Sequence, residues 1–90
     1  MEKNEISLHE VKIYLCLKNG GWMTHKDIES ASGINPRTVR AHTKRFVGLG
    51  ILDVAEVFPA HRYRISDKAR KRNASYALRL DKAVEVFGLT

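Results

Sequence analysis

The stretch from Thr24 to Leu52, THKDIESASGINPRTVRAHTKRFVGLGIL, admits few foldings because two sets of helix-boundary signals flank a single glycine. Thr24 is placed to cap a first helix through its hydroxyl, and Asp27, three residues on, complements the positive helix end. Ile28 and Ala31 are expected to form the apolar face. Gly33 stands where the chain must reverse, since glycine takes the left-handed conformation without a steric cost. Asn35 and Pro36 then read as N-cap and first residue of a second helix, because proline's fixed φ suits that position and its missing N–H is not needed there. Val39, Phe46 and Leu49 are spaced to face inward. Arg37, Thr38, Arg40, Ala41, Lys44 and Arg45 fall on or near the open side, a small and basic surface of the kind that fits a major groove.

The charge distribution supports a polyanionic partner. The chain has 90 residues and a formal charge of +6, but residues 36–72 hold ten Lys/Arg against three Asp/Glu, which makes that segment +7 and the remainder −1. A confined excess of this kind is the footprint expected of a polyanion-binding face. With 43% apolar residues the chain suits one small domain, and at this size oligomerisation commonly assists a modest core. The lone Cys16 excludes an intramolecular disulfide or a cysteine-based zinc site and is expected to be a buried structural thiol. No signal peptide and no apolar run near ~20 residues is found, so a cytoplasmic protein with no membrane association is expected.

Around the central stretch the pattern is mixed. Ser7-Leu8-His9-Glu10 reads as a capping box, with Ile6 and Val11 as a hydrophobic staple. Leu8, Val11, Tyr14, Leu15 and Leu17 follow at helical spacing until Asn19-Gly20-Gly21. Trp22-Met23 is too short for a helix and is expected to be an edge strand pairing with a later hairpin. That hairpin is predicted from the β-branched and aromatic run Ile51 to Phe58, a turn at Pro59-Ala60-His61, and the period-two alternation of Arg62-Tyr63-Arg64-Ile65. Tyr63 and Ile65 face the core, so Arg62 and Arg64 point the other way. Ser66-Asp67 then caps a helix expected to run unbroken to about Phe87, with Gly88 as its stop. Its apolar stripe, Ala69, Tyr76, Leu80, Ala83, Val84 and Phe87, either folds back on Leu8, Val11 and Leu15 or pairs with a second subunit. Pairing is the preferred expectation, with Tyr76, Leu80, Ala83, Val84 and Phe87 as the dimer interface.

In this order of elements the chain resembles the winged helix-turn-helix proteins, in particular small prokaryotic, phage and plasmid transcription regulators. Asp27-Ile28 through Gly33-Ile34, Thr38-Val39, Leu49-Gly50-Ile51-Leu52 and Arg62-Tyr63-Arg64-Ile65-Ser66 carry the resemblance, over roughly residues 7 to 66. It implies an α+β, mostly α fold: a winged helix-turn-helix domain at residues 1–66 and a C-terminal dimerisation helix at 67–90. It also implies major-groove contacts from Arg37, Thr38, Arg40, Ala41 and Lys44, and wing contacts from His61, Arg62 and Arg64. Asn35, Arg45, Lys68, Arg70, Lys71 and Arg72 are expected along the DNA backbone. The chain departs from the family pattern at Glu29 and Thr43, where small and aliphatic residues are usual, and Gly48 weakens the last turn of the second helix.

Enzyme chemistry finds no support. There is no glycine-rich phosphate loop, nucleophile elbow or acid pair in an apolar setting, and His9, His25, His42 and His61 lack metal-ligand spacing. The expectation is a sequence-specific double-stranded DNA-binding regulator, a homodimeric repressor with no cofactor, metal or small-molecule effector. The alternatives are a DNA-binding protein of replication, partition or chromosome architecture, and a winged-helix protein-protein interaction module.

Overall fold

The computed structural model describes residues 6–70 and 75–88. Its elements run α1 (Leu8–Gly20), α2 (His25–Ser32), α3 (Pro36–Gly48), β1 (Leu52–Ala55), β2 (Arg62–Ile65), α4 (Asp67–Arg70) and α5 (Ser75–Phe87). The two strands pair antiparallel, with Leu52 opposite Ile65, Asp53 opposite Arg64, Val54 opposite Tyr63 and Ala55 opposite Arg62.

Local chemistry sets most boundaries. Thr24 and Asp27 form a reciprocal capping box: the Asp27 N–H donates to Thr24 Oγ1 (3.1 Å) and the Thr24 N–H to Asp27 Oδ2 (3.0 Å). Those two bonds also hold the Asp27 carboxyl below its ordinary range. Gly33 ends α2 in the left-handed region, at φ 73° and ψ 15°. Asn35 caps α3 by accepting the Thr38 N–H at 2.9 Å, with Pro36 as the first helical residue. At α1 only half of the expected box forms. Ser7 Oγ accepts the Glu10 N–H at 3.2 Å, but the Glu10 carboxylate turns inward.

Helix α1 is the spine of the core and packs against α2, α3, β2 and α5. Val11, Ile13, Tyr14 and Leu17 from α1 meet Ile28, Ile34, Val39, Phe46, Ile51, Leu52, Tyr63 and Ile65, while Ala69, Ala77, Leu80 and Val84 close the cluster from the C-terminal side. Ser66 joins the wing to α4. Its hydroxyl donates to the Gly50 carbonyl (2.8 Å) and accepts the Ala69 N–H (3.2 Å), so one side chain ties the chain before β1 to the start of that helix.

The Trp22-Met23 strand is a single antiparallel bridge in which Met23 and Tyr63 exchange both backbone bonds at 2.8 Å. Thr43 is buried, and its hydroxyl donates to the Val39 carbonyl of its own helix at 2.6 Å, so no hydrogen-bonding capacity is stranded in the core.

Several expectations are corrected. Leu49 lies past the end of α3 and is 41% exposed, leaving Ile51 to fill the inward position. Ile28 is the sole buried residue of α2; Ala31 is exposed. Leu8 is 41% exposed, whereas Ile13, outside the expected stripe, is fully buried. Cys16 is half-buried rather than buried, which still pushes its thiol pKa up. β1 stops at Ala55, three residues before Phe58. Of the helix expected from Asp67 to about Phe87, the described parts α4 and α5 are helical, and the expected continuity between them falls on residues 71–74, outside the described residues.

The largest correction concerns α5. Leu80 and Val84, expected at a subunit interface, are 0% and 4% exposed within a single chain, because α5 folds back on α1. Tyr76 and Ala83 pack against the same core, and of the five residues only Phe87, at 43%, is mainly in solvent. The apolar surface that α5 leaves open consists of Leu78, Val86 and Phe87.

Candidate nucleic-acid interface

At 3.6 residues per turn Arg37, Ala41 and Lys44 share one row of α3, opposite the buried Val39, Thr43 and Phe46. All three row residues are exposed. Arg40 flanks the row on one side and Arg45 on the other, and these two cations have different surroundings. Thr38 is half-buried at the helix start, where its own N–H is taken by the Asn35 cap.

Arg40 lines a cleft of about 630 Å³ between α3, the start of α2 and the wing tip, together with His25, Glu29, Pro36, Pro59 and His61. The Glu29 carboxylate, a departure from the family pattern, therefore faces open space beside Arg40. The His25 ring lies against Tyr63 at a centroid separation of 4.8 Å and an interplanar angle of 33°. Burial, followed by the positive charge of Arg40, holds the His25 pKa below its ordinary value.

Arg45 is committed within the fold. Its Nη1 stands 3.4 Å from Glu10 Oε2, and its guanidinium lies 5.2 Å from the centre of the Tyr76 ring. The Tyr76 hydroxyl donates to the same Glu10 oxygen, so a carboxylate only 2% exposed joins α1, α3 and α5. Desolvation, then this bond, pushes the Tyr76 phenol up to about 12. Arg45, expected on the DNA backbone, keeps half of its side chain in solvent while it braces α3 against α1 and α5.

The wing shows a similar division. His61 and Arg62 are exposed. Arg64 instead lies 4.5 Å from the centre of the Trp22 ring, with Nε 3.5 Å from Asp53 Oδ2 across the hairpin. Period-two alternation places Arg64 on the outer face, but it could not reveal that Trp22 would cover it. Lys68 is exposed on α4, while Lys71, Arg72 and the Arg70 side chain lie outside the described residues.

The surface thus gathers Arg37, Ala41 and Lys44 on the helix, Arg40 in the cleft, and His61 and Arg62 on the wing as the candidate residues. Among the described residues no group of three or more His, Cys, Asp or Glu is placed to hold a metal ion, and no helix is long and apolar enough to cross a membrane.

Three helices, a strand bridge and a β-hairpin behind the third helix define a winged helix-turn-helix fold of the α+β class. Solved structures share it. BpsR of Bordetella bronchiseptica, whose DNA binding is regulated by 6-hydroxynicotinic acid, superposes with a TM-score of 0.67 at 15% identity, over 92% of this chain and 63% of that one. A DNA-binding protein from Sulfolobus solfataricus gives 0.67 at 12% identity, over 92% of this chain and 83% of its own. The antimony-specific transcriptional repressor AntR gives 0.60 at 25% identity, over 83% and 68%. The chain thus spans less than two-thirds of the Bordetella protein. No family model matches the chain, and no curated protein is similar to it in sequence.

Proposed function

We propose that this chain is a sequence-specific double-stranded DNA-binding regulator of transcription that acts as a homodimeric repressor by occupying its operator. The observation that carries the reading is the exposed row Arg37, Ala41 and Lys44 on a capped third helix, with Arg40 and the wing's His61 and Arg62 across one cleft. Arg37 and Arg40 read bases, because a planar guanidinium matches guanine O6 and N7 in a bidentate pair. Ala41 packs on a thymine methyl and Lys44 holds a phosphate. The likeness in fold to BpsR and AntR, both named for control of DNA or transcription, supports the class.

Dimerisation uses the neighbouring residues that α5 leaves open at its C-terminal end, Val86 and Phe87, in place of the Leu80 and Val84 that the core consumes. Two-fold symmetry then places two recognition helices on successive major-groove faces and requires a palindromic site.

Selection of bound duplexes from a random library tests this reading. The expected result is a palindromic consensus, with affinity for it falling at least tenfold in Arg37→Ala/Arg40→Ala, since each bidentate pair is worth ~1–3 kcal/mol. An unchanged affinity in that variant refutes the groove assignment. Chromosome architecture is the second reading, favoured by the fold shared with the Sulfolobus DNA-binding protein over 83% of that chain. A specific-to-nonspecific affinity ratio near unity in competition binding selects it.

A further inference from the structure

The wing tip carries a side chain that neither the core nor the DNA-facing row employs. Phe58 is 98% exposed, and Val57 beside it is 45% exposed. A phenylalanine standing in water forgoes burial equivalent to about a ten- to hundredfold factor in an equilibrium constant. The fold does not need the ring, because Tyr63 and Val54 already cover the inner face of the hairpin.

Its position gives the ring a use. Pro59, Ala60 and His61 line the same cleft as Pro36 and Arg40 of α3, so the tip stands on the side where the recognition helix is presented, with Phe58 adjoining Pro59 at the rim. His61 and Arg62 face solvent next to it, and the one carboxylate of the loop, Glu56, follows the last residue of β1 two positions before the ring. A bare apolar ring beside the exposed Arg62, on the side where α3 presents the exposed Arg37, Arg40 and Lys44, matches a duplex better than it matches an apolar protein surface. The cations bind phosphates, and the ring enters a base step once the backbone is held.

The geometry points to Phe58 as a wedge that the wing inserts into the minor groove of bound DNA, unstacking one base step and bending the duplex. This rests on the DNA-binding reading and adds a groove, a side chain and a deformation to it. It also adds a source of sequence preference. Pyrimidine–purine steps unstack at the lowest cost, so a TA or CA/TG step is selected beneath the wing although nothing there hydrogen-bonds to a base.

The test uses the full chain as wild type, Phe58→Ala and Phe58→Leu; the side chain makes no core contact, so the fold is preserved. The probe is a duplex recovered by the wild type from a random library, end-labelled to report bending by energy transfer and carrying 2-aminopurine in place of successive adenines. The expected result is a bent duplex with 2-aminopurine brightened at one step. Phe58→Ala then loses about tenfold in affinity together with the bend and the brightening, and Phe58→Leu keeps most of each. Wild-type affinity and bend in Phe58→Ala overturn the wedge alone. A reduced sedimenting mass in Phe58→Ala with the bend unchanged assigns the ring to self-association and also overturns it. A wild type that shifts no duplex overturns the DNA-binding reading and the wedge together.

Discussion

Removing Glu10 tests whether a buried carboxylate sets the pose of α3. Its side chain accepts the Tyr76 hydroxyl and faces Arg45 at 3.4 Å, while being only 2% exposed. A hydrogen bond to a charged acceptor contributes ~1.5–3 kcal/mol, and the Arg45 pair, with its guanidinium half in solvent, adds ~0.5 kcal/mol. Glu10→Leu should therefore cost ~2–3 kcal/mol, or ~10–20 °C in Tm for a domain of this size. Urea denaturation followed by circular dichroism measures it. Tyr76→Phe should cost less, and the double variant should fall short of the sum by ~1–2 kcal/mol, because the second change removes a hydroxyl already left without its acceptor.

The same contact has a signature in pH. The folded-state pKa of Tyr76 is raised to about 12. Its stabilising contribution is thus complete below the unfolded value of ~10 and is lost as pH climbs from there through about 12. Ultraviolet titration should show the Tyr76 phenol titrating late in the wild type and earlier in Glu10→Leu but not fully restored, since burial is the larger cause, while Tyr63, raised by its own burial, keeps its behaviour in both. A Glu10→Leu stability within ~0.5 kcal/mol of wild type, or additive costs in the double variant, would refute the reasoning.

Three further outcomes are expected. Lys44→Ala should lower the slope of log affinity against log salt by ~0.9, whereas Arg45→Ala, whose cation is engaged by Glu10, should reduce stability and leave the slope nearly intact. A DNA phosphate seated near His25 opposes the burial and the Arg40 charge that depress its pKa, so binding takes up a proton. Affinity should then rise as pH falls from about 7 to 5, and His25→Gln should flatten that profile in fluorescence-anisotropy titrations. Thr43→Val should change stability by under ~1 kcal/mol in thermal melts, because the hydroxyl bonds only within its own helix and the isosteric methyl fills the same space.

How much of the molecule is legible in its sequence depends on the range of the forces involved. Thr24, Asn35 and Ser7 cap helices through neighbours three residues away, and Gly33 is dictated by one backbone conformation, so each is visible in a short window of sequence. The alternation placing Tyr63 and Ile65 inward is equally local. Contacts between distant residues are not legible in this way. Glu10 reads as half a capping box because Tyr76 is 66 residues away. Arg45 and Arg64 read as free cations because periodicity reports which face a residue occupies and not what else covers that face. The α5 stripe is real, but an amphipathic pattern cannot say whether its cover belongs to the same chain; Leu80 and Val84 are covered by α1.

On the proposed function, the two 2.8 Å bonds between Met23 and Tyr63 also bear on how this surface would meet a duplex. Met23 immediately precedes the cap of α2, and Tyr63 sits in the wing's returning strand, so the helix pair and the wing are fastened at a point ahead of both. They form a caliper with fixed jaws. Little conformational entropy remains to be surrendered on docking, and the ordering cost that a loose wing would impose is already met in the free protein. The spacing between α3 and the returning strand of the wing is thereby held at its base, and a duplex bound as proposed would meet it as a gauge of groove width.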